Sequence, residues 1–502
     1  MAFMSADPRE ECCSTFFLLL LVVVLLVWQW TWQRRRRWPP GPPALPIVGH
    51  LPWLGQKSHR NLTEWSKRYG DIIAVRFGSE DVVVLNSYRA FKEAYMDLSA
   101  EFAGRASLPL ANMFSDNGKG IIFAPYGDAW KEQRKFVSRV IRHAASNNET
   151  VMNQRTGTLV SSILRHQGKP ADVQSDVALS IFNVTCSFVF GQCFDPDDVA
   201  FQEFVSSLNR ISVNLGSLGL SNVFPFLRKV PFLGQADEGL EAEFRELRRF
   251  IADQVHKHRL KLDQNNIRGL VDVFLSEIQR RVEGGESAGS FTEGHMMQTV
   301  FDVIIAGVDT VLSAFMWLVF YAAKFPALQT AVQEELDRVL GGENVSAAHR
   351  RLLPVTEATV MEVLRLATPS PLNFRATTRD VTLLGYRLPE GTWALMNCWS
   401  VHRDPQQWAE PDRFDISRFL DGQGRVTTPP AWRPFGIGRR VCLGEQLARL
   451  ELVVFFAALL QNFTLSLYVP DGAPLPSVED AVLGVALMPA PFQVRAIPRL
   501  RV

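Results

Sequence analysis

The sequence is poor in cysteine and has almost no excess of charge of either sign. Six cysteines in 502 residues form no CxxC pair and no zinc-type spacing, which argues against a disulfide framework and fits a reducing compartment. Lys and Arg number 53 against 52 Asp and Glu, so nothing indicates nucleic acid as a general partner. These absences leave a chain with 47% hydrophobic residues, enough for a large buried core.

Internal repeats are also missing, and only one stretch has the composition of a linker. Residues 39–55 are rich in proline, which removes backbone donors and stiffens the chain. They predict a semi-rigid hinge. It would join an amino-terminal segment, residues 1–38, to one large domain, residues 56–502.

Charged residues are absent from one long segment near the amino terminus, residues 12–33. About 20 apolar residues suffice to cross a bilayer as a helix. Trp28, Trp30 and Trp32 lie at one end, where the membrane interface favours such rings, and four arginines follow at 34–37. The positive-inside rule then predicts an uncleaved transmembrane helix with the remaining chain in the cytosol. A cleaved signal peptide is the alternative, but the run is too long and no small-residue cleavage site follows.

Helical periodicity dominates the remaining sequence, and strand-like runs are short. The clearest helical windows are 291–324, 354–366 and 442–462, and the clearest strand-like runs are 72–77, 82–85 and 463–468. Thr292 is the expected cap of the first window and Pro326 its stop. That window is apolar nearly all round but contains two aspartates, which favours a buried helix over a second membrane span. We predict a mainly α fold with a small β region.

One cysteine lies in a glycine-rich segment directly before a helical window. A thiolate ligand must be held deprotonated by positive potential, which Arg440 and the start of the following helix could supply to Cys442. The nearby glycines allow backbone amides to approach the sulfur, and Phe435 could exclude water. A cysteine thiolate on haem iron favours cleavage of the oxygen–oxygen bond. A buried structural cysteine is the alternative.

The spacing Phe435-x-x-Gly438-x-Arg440-x-Cys442-x-Gly444 resembles the haem-binding loop of the cytochrome P-450 superfamily. The resemblance covers nearly the whole chain and is nearest to microsomal family-two-type members. It implies the cytochrome P-450 fold, with one large catalytic domain. It also implies haem b, iron protoporphyrin IX, as cofactor, Cys442 as the ligand to its iron, and a monooxygenase that inserts one atom of molecular oxygen into its substrate.

A Glu-x-x-Arg motif of the superfamily is present as Glu362 and Arg365. Residues three apart share one helix face, so the two side chains can pair. The resemblance implies that the pair locks a third element, residues 408–419. There the superfamily's Pro-Glu is replaced, while Arg418 remains as charge partner.

Residues 306–310, in the middle of the longest helical window, resemble the oxygen-side motif of the superfamily. The resemblance implies that Gly307 opens the helix beside bound oxygen. It further implies that Thr310, with Asp309, supplies protons through a hydroxyl and ordered water. The alternative is that Thr310 satisfies a nearby backbone carbonyl, as threonines within helices often do.

The haem propionates need cationic partners. Three arginines and one tryptophan resemble the residues that bind the propionates in the superfamily. Trp130 and Arg134 lie four apart on a predicted helix and project together. Arg105 resembles a second propionate contact. Arg375 stands where many relatives carry histidine, and arginine can bind a carboxylate bidentately. An ordinary surface arginine is the alternative in each case.

Basic residues near the cysteine loop predict an acidic redox partner by complementary charge. They are Lys131, Lys135, Arg139, Arg142, Arg433 and Arg439. The resemblance implies NADPH–cytochrome P-450 reductase, with NADPH as the indirect electron source, and it leaves room for a cytochrome b-type donor. It places the protein in the endoplasmic reticulum membrane, single-pass, and leaves a mitochondrial pool open. A merely solvated basic face is the alternative.

The substrate implied by the resemblance is lipophilic: a fatty acid, a steroid or a xenobiotic. Some phrases of the sequence are similar to the branch that hydroxylates long-chain fatty acids. By analogy with the superfamily the pocket would be lined by residues 108–114, 215–226, 301–305, 371–374 and 483–485. These segments are mainly apolar, as a lipophilic ligand requires.

Two other functions compete with this interpretation. Residues 285–289 match Gly-x-Ser-x-Gly, which would make Ser287 a hydrolase nucleophile. That motif requires a strand before it and a helix directly after, whereas this segment predicts a polar loop. The other is a haem-thiolate isomerase or sensor without oxygenase turnover, against which Asp309, Thr310 and the basic face argue.

Overall fold

The computed structural model describes residues 18, 21–25, 38–106, 108–147, 149–195, 197–216, 224, 235–470 and 472–499. The predicted membrane anchor therefore lies outside the described residues, apart from residues 18 and 21–25, which are helical. The anchor stays a prediction. Most of the predicted pocket segment 215–226 lies outside them as well.

α-Helices make up nearly half of the described chain. In chain order they are α1 Ser58–Tyr69, α2 Tyr88–Lys92, α3 Pro109–Phe114, α4 Asp128–Asn147, α5 Glu149–Leu164, α6 Gln174–Phe190, α7 Val199–Gly216, α8 Gln235–Leu260, α9 Leu270–Glu283, α10 Glu293–Lys324, α11 Pro326–Leu340, α12 Pro354–Ala367, α13 Cys398–Val401 and α14 Glu445–Asn462.

The strands form one small sheet and several two-stranded pairs. They are β1 Ile72–Phe77, β2 Glu80–Leu85, β3 Leu372–Ala376, β4 Val381–Leu383, β5 Tyr386–Leu388, β6 Trp393–Asn397, β7 Phe463–Tyr468, β8 Val482–Leu483, β9 Leu487–Met488 and β10 Gln493–Pro498. The sheet has the order β1-β2-β6-β3, in which only β2 and β6 are parallel. The prediction of a mainly α fold with a small β region is confirmed.

Helix α10 runs through the core. Its cap is the predicted one, because the Thr292 side chain accepts a hydrogen bond from the amide of His295. Among the described residues it is the one helix long and apolar enough to cross a membrane, yet 72% of its most apolar window is buried inside the protein. Trp317 and Phe315 are completely buried. Its apolar surface is therefore covered by protein, as the buried-helix prediction required.

Helix α14 begins three residues later than the periodicity predicted. Cys442 is not helical, and its amide donates to the carbonyl of Phe435 at 3.0 Å. A short 3-10 turn, Gly438–Arg440, precedes it. The turn keeps the cysteine outside the helix, so that the helix's first amides point towards it.

The Glu362 and Arg365 pair lies at the centre of the helical layer. Both side chains are completely buried, and two guanidinium nitrogens donate to the two carboxylate oxygens at 2.7 and 2.8 Å. Arg365 also donates to the carbonyls of His402 and Pro411, each at 2.7 Å. Nε of Arg418 lies 3.5 Å from Glu362. The Glu362 and Arg365 pair therefore contacts residues 408–419, the segment that the resemblance implied as its third partner.

Candidate active site

A cavity lies between α10 and the loop that carries Cys442. Its walls come from α4, α6, α10, α12, α14, β3 and β6, together with the segment that precedes α4. Most of the wall outside the arginines is apolar, as at Ile122, Val303, Ala306, Ala314 and Leu364. Such a wall suits a lipophilic ligand.

The loop that carries Cys442 depends on one glycine. Gly438 has φ +80, and a Cβ at this position would overlap the carbonyl oxygen of Tyr95. Only glycine combines that backbone conformation with so close an approach. Phe435 and Cys442 both line the cavity, so the loop presents the sulfur beside an aromatic ring.

Cys442 is exposed to the cavity, and its sulfur lies deep inside the protein next to partial positive charge. Burial raises the pKa of the Cys442 thiol, while the amides of Gly444 and Glu445 and the charge of Arg134 oppose that rise. These amides start α14, where the helix dipole is positive. Because a thiolate is the form that binds metal, a metal cation would replace the thiol proton here.

The arginine that acts on the sulfur is not the one that the sequence suggested. Arg134 donates to the carbonyl of Val441, next to Cys442. Arg440 instead donates to the carbonyls of Ala103 and Ala124, each at 2.7 Å. The prediction that Arg440 supplies the positive potential at sulfur is therefore corrected: its guanidinium is turned towards these carbonyls.

Four arginines line the same cavity: Arg105, Arg134, Arg375 and Arg440. In the part of the chain that the structure describes, none of them has a carboxylate partner in an ion pair. Burial, followed by repulsion from Arg375 and Arg440, lowers the pKa of the Arg105 guanidinium well below its usual value. Guanidinium groups nevertheless stay protonated in proteins. The cluster therefore fits a ligand that brings carboxylates, and the two propionates of haem meet that requirement.

Two of these arginines retain free hydrogen-bonding capacity. Nη1 of Arg105 donates to the carbonyl of Phe374 at 2.7 Å, while its buried Nε has no partner among the described residues. Arg375 donates to the carbonyl of its neighbour Phe374 at 2.8 Å and reaches the carbonyl of Arg440 only at 3.4 Å. Both could turn a nitrogen towards a carboxylate.

Trp130 was predicted to contact the cofactor, and the structure gives it a different place. Its Nε1 donates to the carbonyl of Ile121 at 3.1 Å, and its side chain is not part of the cavity wall. Its ring lies 4.3 Å from the Arg440 guanidinium and 5.3 Å from that of Arg134. Trp130 therefore supports two arginines by cation–π contact, and its contact with the cofactor stays a prediction.

Gly307 and Thr310 lie on the α10 wall of the cavity. The Thr310 hydroxyl donates to the carbonyl of Ala306 at 2.7 Å, which is the alternative role considered for it. A hydroxyl also accepts hydrogen bonds, so this bond leaves Thr310 an acceptor towards the cavity. A Cβ on Gly307 would lie 3.1 Å from Oγ1 of Thr185, so this wall is closely packed.

Asp309 lies outside the cavity wall. Its carboxylate accepts hydrogen bonds from the Ser212 side chain on α7 and from the amide of Ala486, and burial raises its pKa. Oδ2 has no partner within the described part of the chain. The structure therefore does not bring Asp309 and Thr310 together on one surface of the cavity.

Two buried acids on the cavity wall were missed by sequence reasoning. Asp302 accepts from the amides of Ile121 and Ile122 at 2.6 and 2.9 Å, and burial raises its pKa to about 6. Glu451 is 3% exposed, and burial raises its pKa to about 8. The signal for Glu451 was its position at i+7 from Gly444, the N-cap of α14, on the helix face that also carries Ala448 at i+4.

The predicted pocket segments are only partly correct. Residues 301–305 and 371–374 contribute Asp302, Val303 and Asn373 to the wall. Residues 108–114 form α3 instead and pack Phe114 at 5.1 Å from the ring of Phe301. Residues 483–485 do not line the cavity; the amide of Val485 donates to the carbonyl of Ser212 on α7 instead. Sequence position alone could not predict these side-chain directions.

The Ser287 segment is an exposed loop between α9 and α10. Helix α9 precedes it where a nucleophile elbow needs a strand. The hydroxyl of Ser287 accepts from the amide of Gly289 at 3.3 Å. This geometry matches the polar loop that the sequence predicted and offers no support for a hydrolase.

Comparison with known proteins agrees with the geometry. The sequence model of the family described as "Cytochrome P450" matches residues 39–496. Cytochrome P450 18a1 of Drosophila melanogaster is 34% identical over 483 residues, which cover 93% of this chain and 88% of that protein. Cytochrome P450 2U1 of Mus musculus is 34% identical over 494 residues, covering 93% and 92%. Cytochrome P450 2J2 of Homo sapiens is 32% identical over 477 residues, covering 93% of each chain. The chain therefore belongs to the cytochrome P450 family and is a haem monooxygenase of that family.

Proposed function

We propose that this protein oxidises a lipophilic substrate such as a fatty acid, a steroid or a xenobiotic at the endoplasmic reticulum membrane. Its electrons come from NADPH through cytochrome P-450 reductase. The supporting observation is that one cavity combines the Cys442 thiol, four arginines that form no ion pair with a carboxylate of the described chain, and an apolar wall containing Gly307 and Thr310. Fatty acids are the first class to test, because parts of the sequence resemble that branch.

Several residues would hold haem b in this cavity. Cys442 would bind the iron, and Arg105, Arg134 and Arg375 would bind the propionates, with Arg440 behind them. When bound, thiolate-ligated haem activates molecular oxygen. Phe435 would shield the sulfur from water, and the iron, once bound, would take the place of the thiol proton.

The protein must also deliver protons, because the reaction releases one oxygen atom as water and so consumes two protons. Thr310 would accept and pass a proton at Oγ1, since its hydroxyl lies on the cavity wall. Asp309 is the neighbouring acid proposed to recharge it through ordered water. For this, its carboxyl would have to leave the hydrogen bond from Ser212.

Part of the basic surface supports docking of an acidic reductase. Lys135 and Arg139 are exposed and four residues apart on α4, and Arg439 is exposed beside the cysteine loop. Lys131 is less available because it pairs with Asp128 at 2.9 Å. Positive charge beside the haem loop would steer the partner to the side from which electrons enter.

The test is turnover of the full-length protein with reductase, NADPH and a panel of fatty acids, steroids and xenobiotics. We expect oxygenated product only when all components are present. Thr310→Ala should keep NADPH consumption but shift it from product to peroxide. Thr158→Ala, at a half-buried threonine on α5 that also donates to a carbonyl four residues earlier, should not. Haem binding without oxygen or NADPH consumption on any substrate would favour the isomerase or sensor and overturn the proposal.

A further inference from the structure

Two polar side chains interrupt the apolar wall of the cavity near β3. Ser370 and Asn373 both line the cavity, and both are half-buried. Leu364, Pro369 and Met396 line the cavity as well, and their side chains donate no hydrogen bond. Ligand cavities typically combine such an apolar wall with a few placed polar groups that fix the orientation of the ligand.

The strand directs Asn373 into the cavity. Because side chains alternate along a strand, Asn373 and Arg375 share one face of β3, and both line the cavity. Phe374, between them, packs on the other face with its ring centre 6.2 Å from that of Trp393. A strand rises about 3.3 Å per residue, so Asn373 lies about 7 Å from Arg375. Its position is fixed by strand pairing, since Asn373 lies opposite Met396 of β6.

The side-chain amide of Asn373 makes only long hydrogen bonds within the described chain. Its Nδ2 donates to the carbonyl of Ser370 at 3.3 Å and to Sγ of Cys398 at 3.9 Å, and the Ser370 hydroxyl donates to its Oδ1 at 3.3 Å. Ordinary N–H···O and O–H···O bonds measure about 2.9 and 2.7 Å. An amide has two donors and two acceptor lone pairs. Asn373 therefore keeps hydrogen-bonding capacity for a ligand while Ser370 orients it.

The pair is uncharged, which defines the chemical group that it suits. The haem propionates are anions, and the four arginines of the cavity match them. A side-chain amide and a hydroxyl match instead a hydroxyl or carbonyl oxygen. A site built to hydrogen-bond such a group discriminates against an analogue that lacks it, because the polar groups of the site are then left unpaired.

We propose that Ser370 and Asn373 form a polar subsite for the substrate, in which Nδ2 of Asn373 donates a hydrogen bond to an uncharged hydroxyl or carbonyl oxygen of a lipophilic molecule. The inference rests on the proposed function and narrows its substrate class to lipophilic molecules that carry such an oxygen. Because Asn373 shares a strand face with Arg375, which would bind the haem, this bond would also determine which carbon of the substrate faces the iron.

The test compares the binding of two rigid probes, adamantanone and adamantane, to the full-length holoprotein, followed by the shift of the Soret band. The probes differ in one carbonyl oxygen. Asn373→Leu removes the amide at similar side-chain volume, and we expect it to lower the preference for the ketone over the hydrocarbon about fivefold, the size of one hydrogen bond. Ser370→Ala should lower it less, because Ser370 only orients the amide. Asn112→Leu, the same substitution at an exposed asparagine outside the cavity wall, should not change it.

The haem content of Asn373→Leu separates a role towards the substrate from one towards the cofactor. We expect it to equal that of the unaltered protein. An unchanged preference in Asn373→Leu, equal weakening of both probes, or loss of haem from the folded variant would overturn the inference while leaving the proposed function intact. The absence of a Soret shift with the ketone in the unaltered protein would do the same. Failure of the unaltered protein to bind haem would overturn both.

Discussion

At the scale of single residues, the largest effect on stability is expected at the Glu362 and Arg365 pair. Glu362→Ala would leave the Arg365 guanidinium buried without its counter-charge, which typically costs about 3–5 kcal/mol. Denaturant unfolding should show that loss. Glu64→Ala is the control, because its pair with Lys67 is exposed and such pairs contribute about 0–1 kcal/mol. Similar losses in the two variants would contradict the role of burial.

Glu451 predicts a pH dependence of stability. Burial raises its folded-state pKa to about 8, above the value near 4.3 expected when unfolded. Below the unfolded pKa the carboxyl is protonated in both states, and the stability it contributes is fully present. As pH rises from there towards the folded pKa, the carboxyl ionises only in the unfolded state, and that stability is lost. The free energy of unfolding should therefore fall between about pH 5 and pH 8. Glu451→Gln should flatten that decline in urea titrations across the range, and an unchanged slope would refute the assignment.

Sequence reasoning at this scale found the residue types but not their orientations. Cys442, Phe435 and Arg440 line one cavity because they belong to one loop motif, and Arg105, Arg134 and Arg375 reach the same cavity from other elements. The direction of Trp130 depends on Ile121, in the loop before α4, and that of Asp309 depends on Ala486, far away in sequence. No local pattern contains those contacts.

At the scale of elements, the cysteine loop is expected to tolerate no side chain at Gly438. Gly438→Ala would combine positive φ, which costs about 1–2 kcal/mol, with overlap on the Tyr95 carbonyl. The loop would have to shift, so most of the haem should be lost, measured as haem per protein. Gly422→Ala is the control, because its Cβ would meet nothing within 4 Å. Full haem content in Gly438→Ala would show that the contact is dispensable.

Elements with a clear hydrophobic periodicity were predictable from the sequence. The exceptions occur where tertiary contacts override that periodicity. The ends of α10 follow from Thr292 and Pro326, which act locally. The start of α14 was placed too early because residues 442–444 are compatible with a helix in isolation. The loop needs those residues to turn, so that the first helical amides face the sulfur.

At the scale of the whole molecule, the predicted anchor is the main untested feature. Removal of residues 1–38 should convert a protein that resists carbonate extraction from membranes into one that carbonate releases, since about 20 apolar residues hold a spanning helix in the bilayer. Haem content should not change, because the cavity lies within the described part of residues 56–502. A truncated protein that still needed detergent for release would contradict the anchor.

The central claim is that Cys442 binds haem iron through its thiolate, and the reduced carbon monoxide difference spectrum tests it most directly. The unaltered protein and Cys193→Ala, a cysteine outside the cavity wall, should both give a strongly red-shifted Soret band. Cys442→Ala should lose it. Retention of that band in Cys442→Ala, or no haem spectrum from well-folded unaltered protein, would contradict the account.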